Sequence, residues 1–473
     1  MVHFLHHLIG AAMLFSILHF AEHKHMLVWL DAAMIRVAGM GHPAAPAQSA
    51  ADRPSIVMIE RDAFETVFDD RSPLPRGRLV ELLAQFDASR TRVLAIDIDL
   101  APTVSERAEG GVRPLDSALA DLAARGVTVV LGLPPPAATA PGATLAWVRA
   151  RCADGIRFGD VTLHQRLGVV SRVHGAAPTL AHVAHQAAAA PQDAGQHGTS
   201  AICVLAQQAG AETAFFDAVA HAGANEHDKA APPESIPLSS VASNWATLRS
   251  DTHAVQLRSG QAAIDDAGQL RKVVFLGGAY DDGERMLTVG GAAYGVQVHA
   301  ASFTSLATGT EDASLWTVAT LDILLGLVFG FLFEWMWNCF KKLEDRVDTC
   351  PLPWLLSFYF VRLALFLCWL LPLVLAYLAI AASSSLYAQG LWLNPGPIII
   401  GMFLHTLSLR GEAIEESRGS GESKTVHDDH AAPQAMLARI RASFALLLKD
   451  HPGSLLVQLP LTVSLLILPL LPH

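Results

Sequence analysis

The chain has 473 residues, room for one large domain with a membrane region or for two domains, and 52% of them are apolar against 16% charged. A formal charge of −11, with no basic stripe in the polar part, argues against a nucleic-acid partner. No Cys/His spacing matches a zinc site, so no metal and no cofactor is expected.

The chain opens on an apolar stretch, Phe4–Phe20, interrupted by His6, His7 and His19. It has no cationic leader and no small-residue cleavage site. It therefore reads as a retained membrane anchor within 1–26, with a buried core helix as the alternative. His23 and His25 stand just beyond it, placed to answer acid or a metal, although interfacial histidines commonly have no such role.

From 27 to 313 strand and helix signals alternate. Ser55–Ile59 is a short apolar run ending at Glu60, and Leu79, Leu82, Leu83 and Phe86 recur at helical spacing in Arg78–Phe86. Arg92–Ile96 reads as a buried strand ending at Asp97, Leu115–Arg125 as a helix closed by Gly126, and Val127–Leu131 as a third strand. Past the Pro/Ala-rich connection Pro134–Thr144 the signal thins. Thr179–Ala189 is helical in pattern, while Pro191–Ser200 and Gly223–Pro237 read as exposed loops. A last strand, Lys272–Leu276, meets Gly277 and Gly278, and Gly295–Ala300 leads into a helix over Ala301–Leu306. Strands separated by helices predict an α/β domain with a mainly parallel sheet. The Gly277-Gly278 spacing fits neither the dinucleotide nor the P-loop pattern and reads as a tight turn.

Three apolar runs follow, Leu315–Trp337, Trp354–Ala382 and Leu391–Leu409. Each approaches the ~20 apolar residues needed to cross ~30 Å of hydrocarbon, which predicts an α-helical transmembrane bundle over 314–410. Lys341, Lys342 and Arg346 place the first connection inside. The uncharged Ser383–Gly390 suits the outside, and Arg410, Arg418, Lys424, Arg439 and Arg441 return the chain to the inside. The domain at 27–313 is then extracytoplasmic. Residues 411–452 form a cytoplasmic polar tail whose Met436, Ile440, Phe444 and Leu447 share one face of an amphipathic helix. About 40 residues bury no core of their own, so no kinase, cyclase or phosphodiesterase module is expected there. Within 453–473, Gly453–Leu471 is a fifth membrane segment or, given Pro460 and Pro469, a surface or re-entrant one. Of five cysteines, Cys152 and Cys203 fall in the domain; they form one disulfide in an oxidising compartment or remain two separate thiols.

Several pieces recur in a known order: Leu27–Asp31 through Arg36; Val57–Glu60, Pro75-Arg76 and Leu79–Leu83; Ala95–Asp97; Asp116–Leu122. After these come Gly159–Val161 with Gly168–Arg172 and Pro178–Ala181, and then Lys272–Gly277, Asp281 and Gly295–Ala300. Together with the membrane topology they resemble the type-two CHASE domain, the extracytoplasmic sensory domain attached to bacterial histidine kinases and nucleotide cyclases. The resemblance covers roughly residues 1–410. It implies a multi-pass protein of the bacterial inner membrane with a periplasmic sensory domain. Glu60 stands where the family has Asp, no tryptophan accompanies Pro75-Arg76, and Gln192–Pro232 matches nothing in it.

Glu60, Asp97 and Asp281 each stand at or just beyond the C-terminal end of an expected strand, where ligands of open parallel sheets bind. With Arg76 and His299 as companions they form the candidate ligand-binding set. The plainer alternative is that these acids cap helices or pair with Arg76 and Arg78. No Gly-x-Ser-x-Gly elbow is present, and no catalytic residue is expected. In the membrane runs, Glu334 and Arg362 sit at depths that allow an intramembrane pair, while a proton or ion path would call for repeats that are not evident. The expectation is a signalling protein whose outer domain binds a ligand or protein and passes its state to a separate partner in the membrane or cytoplasm. A scaffold subunit assembling through that domain is the alternative. The lipid bilayer and a second copy of the chain are the other expected partners.

Overall fold

The computed structural model describes most of residues 53–308, with gaps of which the longest are 222–235 and 238–250, and scattered positions on either side as far as 12 and 399. The chain divides into two compact units, Ala44–Glu311 and Met1–Pro43 with Asp312–His473. The first is an α/β domain.

Its main sheet has seven strands in the order β4-β3-β2-β10-β1-β8-β9. These are β1 (Ser55–Glu60), β2 (Val93–Asp97), β3 (Thr128–Gly132), β4 (Arg157–Gly159), β8 (Thr252–Arg258), β9 (Gln261–Ile264) and β10 (Val273–Ala279). Every neighbouring pair is parallel except the hairpin β8–β9. The central strands are apolar at almost every position because both faces are covered. Val57, Ile59, Leu94, Ile96, Val274 and Leu276 face one helical layer. That layer holds α1 (Arg61–Thr66), α2 (Arg76–Leu83), α3 (Pro114–Ala124), α4 (Ala143–Ala153), α6 (Ala201–Gln208) and α7 (Glu212–His221). Ile56, Met58, Val93, Ala95, Val273 and Phe275 face the other, built from α5 (Leu180–Ala189) and α8 (Gly295–Thr308). A five-stranded second sheet, β5 (His164–Arg166), β6 (Val169–Val173), β7 (Ile236–Pro237), β11 (Met286–Thr288) and β12 (Gly291–Ala293), borders the α8 layer through Val170, Met286 and Ala293.

Two expectations are corrected. Gly295–Ala300 is the opening of α8 and not an approach to it. The Gln297 side chain accepts from the Tyr294 N–H at 3.1 Å, and the Gln297 N–H donates back to the Tyr294 carbonyl at 3.0 Å. This reciprocal cap starts a helix despite the β-branched Val296 and Val298. Gly277 and Gly278 are strand residues of β10 and not a turn. A Cβ on Gly277 would lie 2.4 Å from the Val296 Cβ, and one on Gly278 would lie 2.7 Å from the Tyr280 ring, so these glycines let α8 and Tyr280 close onto the strand. Val296 over Gly277 and Phe303 against Phe275, ring centroids 5.7 Å apart, mean that α8 runs back along β10.

Both margins of the main sheet are occupied. Along β9, the Ala262 N–H donates to Glu81 (2.9 Å), the Ile264 N–H donates to Gln85 (2.9 Å), and the Gln85 amide donates to the Ala262 carbonyl (2.6 Å). On β4 the Phe158 N–H donates to the Ser200 hydroxyl at 3.4 Å. Side chains of α2 and the cap of α6 thus take groups that would otherwise invite another strand.

Cys152 at the end of α4 and Cys203 in α6 are joined in a disulfide across 51 residues. Among the described residues no helix is long and apolar enough to cross a membrane, and the expected transmembrane bundle lies largely outside them.

Gly277→Ala is expected to lower the stability of the full-length protein by about 1–3 kcal/mol through overpacking against Val296. Gly77→Ala on α2, where a Cβ would meet nothing within 4 Å, should leave it unchanged or raise it by up to about 1 kcal/mol. Urea midpoints of the two variants check the contrast.

Candidate functional site

The strand registers fix where the candidate acids stand. Asp97 lies opposite Gly277, and Glu60 opposite Ala279. Both acids therefore occupy the C-terminal margin of the sheet, and by strand alternation both lie on its α5/α8 side. β10 separates their strands, which puts the two backbones about 10 Å apart. At this margin the chain from β2 continues to α3 on one face, while the helix after β10, α8, lies on the other. Adjacent strands whose following helices diverge open the crevice in which ligands of such sheets bind.

Asp97 and the opening turns of α8, which carry His299, come together at that margin. The Asp97 carboxylate points at the first turn of α8: its Oδ2 would be 3.0 Å from a Cβ on Gly295, with Met286 and Leu163 close by. Burial pushes the Asp97 carboxyl above its ordinary range, and the charge of His299 offsets this only in part. His299, one turn further along α8, is completely buried, and neither ring nitrogen has a hydrogen-bond partner among the described residues. Leaving such a group unsatisfied costs on the order of 1–3 kcal/mol. Stability alone does not account for a histidine at this position.

The other candidates separate from this pair. Glu60 is exposed at the start of α1, and its side chain makes no cap. Asp281 is exposed two residues past β10. Arg76 belongs to the opposite helical layer: its Nε donates to Glu106 at 3.0 Å, and an Nη donates to the Ala101 carbonyl at 3.0 Å, bracing the loop after β2. Glu334 and Arg362 lie outside the described residues. No group of three or more His, Cys, Asp or Glu able to hold a metal ion occurs among the described residues.

Arg76 opens a chain of ion pairs that sequence patterning did not find. Arg113 reaches Glu106 at 3.4 Å and grips Asp116 with both arms, at 2.7 and 2.9 Å. Asp116 also accepts from the Trp147 indole at 3.0 Å, and its carbonyl accepts from Arg151, which pairs with Asp154 at 3.0 Å. Burial would raise the Glu106 carboxyl, but the Thr103 N–H and Arg76 outweigh it and hold the carboxyl below its ordinary range. The Arg113/Asp116 spacing of three residues at a helix start was the one available hint; Glu106 and Trp147 join only through the fold. The network ties α2, α3 and α4 together on the face away from His299.

No protein-family model, curated protein or solved structure matches the chain.

Asp116→Ala leaves the Trp147 N–H unpaired and takes from the largely buried Arg113 its two-armed partner, and should cost about 3–5 kcal/mol in denaturant unfolding. Glu106 contributes stability that is present above the ordinary glutamate range and is lost as pH falls through its lowered value. Glu106→Gln should accordingly lose stability at neutral pH while flattening the acid limb of the stability profile between about pH 5 and pH 3.

Proposed function

We propose that the protein is a membrane-anchored sensor. Its α/β domain lies outside the cytoplasm, binds a stimulus at the crevice beside Asp97, and passes its state through α8 and the apolar runs to a separate protein partner. The carrying observation is where apolar surface is left uncovered. Apart from Val204 and Leu257, the large hydrophobic side chains described as exposed all belong to the apolar runs. Trp316, Leu324, Val328, Phe331 and Trp335 lie in Leu315–Trp337, and Val374, Tyr377 and Leu378 lie in Trp354–Ala382. Such surface is costly against water at about 25 cal/mol per Å² and has no such cost against lipid. The domain, by contrast, closes its own core and carries a disulfide, which favours an oxidising compartment.

The resemblance to the type-two CHASE domain supports sensing in particular. So does the position of α8: its first turn forms part of the crevice, and the chain leaves its end at Thr308 for the run beginning at Leu315. Occupied sheet margins weigh against a scaffold that grows by strand addition. The bilayer would surround the runs, and a ligand that favours one packing of α8 by a few kcal/mol would suffice to shift the population.

A reporter active only in the cytosol, inserted in 191–199 of the full-length protein in cells, should stay silent. Cys152 and Cys203 should resist alkylation until reduced, and Cys152→Ser should cost about 4 kcal/mol for a loop of this length. The purified protein should size as a discrete species. A lit reporter or freely alkylated thiols would overturn the topology, and open-ended polymers would overturn sensing in favour of a scaffold.

A further inference from the structure

Asp97 and His299 are joined to the helix that leaves the domain: the half-buried Asp97 carboxylate faces its first turn, and His299, one turn further on, is fully buried without a hydrogen-bond partner among the described residues. Asp97 sits on β2 opposite Gly277, where the first turn of α8 closes most tightly onto the sheet. Any side chain at Gly295 would push on the carboxylate, so the seat of α8 and the state of that carboxylate are sterically coupled.

We propose that Asp97 and His299 form a proton-operated latch, in which a proton on the Asp97 carboxyl lets the first turns of α8 seat firmly on the sheet and its loss loosens them. The latch deepens the sensor proposal by naming protons as a stimulus at the same crevice. When the carboxyl ionises, its proton goes to solvent and a negative charge is left against the first turn of α8. That charge is costly where Met286 and Leu163 flank the half-buried carboxylate, and hydrating it more fully favours lifting of α8.

Few other groups compete for this role. α8 carries no other titratable side chain, and β10 and β7 carry none. On α5, the His182 ring is bonded to Gln186 at 2.7 Å, and the His185 ring packs edge-on against Phe303 with centroids 5.6 Å apart. Glu60 of β1 is exposed, and β6 brings Arg172. Asp97 and His299 are the pair at the seat itself.

The direction follows from the raised carboxyl. Released from the sheet, Asp97 ionises near its ordinary value of about 3.9. Seated, it ionises at higher pH. Within that window seating takes up a proton, so acidification from neutral pH strengthens it and alkalinisation weakens it. This is opposite in sign to the contribution of Glu106.

Hydrogen exchange of residues 295–308 in the full-length protein in detergent tests the latch, after correction for the pH dependence of intrinsic exchange. Protection in the wild type should rise as the pH is lowered toward the ordinary aspartate value of about 3.9, by up to about tenfold per pH unit for a single coupled proton. Asp97→Asn should give high protection with no pH dependence. His299→Gln removes the charge that offsets burial and should move the rise to higher pH. A flat wild-type profile, or an unchanged slope in Asp97→Asn, would overturn the proposal. If Asp97→Asn does not fold, an unshifted profile in His299→Gln does so alone. None of these outcomes depends on which side of the membrane the domain occupies, so the topology reporter separates failure of the latch from failure of the sensor proposal.

Discussion

The domain depends on the close approach of α8 to β10. Gly277 has no side chain because Val296 occupies that space, and the neighbouring Ala300 and Ala301 keep the buried face of the helix narrow. With α8 held at this distance, the half-buried Asp97 carboxylate lies against its first turn, His299 is cut off from water, and Phe303 reaches Phe275. A bulkier β10 would hold the helix away and return His299 to solvent.

The two helical layers are stabilised by different means. The α5/α8 layer rests on small and aliphatic side chains with one polar pair beneath it. The opposite layer adds an ion-pair chain from Arg76 to Asp154 and a disulfide between α4 and α6. That layer is thus held by covalent and charged ties as well as apolar packing, whereas α8 is held to the sheet by close apolar packing. Buried ion pairs contribute little net stability over apolar packing, so rigidity and register are the more reasonable uses of the network.

The main strands were legible because each is a short apolar run bounded by charge or glycine, and β1, β2, β3 and β10 all fall where the runs are. Helices α2, α3 and α5 were legible from spacing. The hairpin β8–β9 was missed although Ser259-Gly260 marks it; both residues have positive φ, as a two-residue turn of this hand requires. Helix α4 was missed because Ala143–Ala153 mixes apolar and charged residues without a clear stripe. At the site, the strand ends placed Asp97 correctly. That Arg76 lies on the other face of the sheet was not legible, because sequence position does not reveal the face, and the burial of His299 depends on a helix start set by Gln297 rather than by propensity.

Because α8 runs back along β10, its last turn lies toward the margin where that strand begins, and Ser55 of β1 pairs beside Val274 at the same margin. The Asp97 margin and the margin where β1 begins are thus separated by a 14-residue helix of about 21 Å. Where the chain comes in on β1 and goes out on α8, the two threads are neighbours. A slide of the helix along the strand would change their relative height, turning motion at one margin into a displacement between adjacent threads at the other.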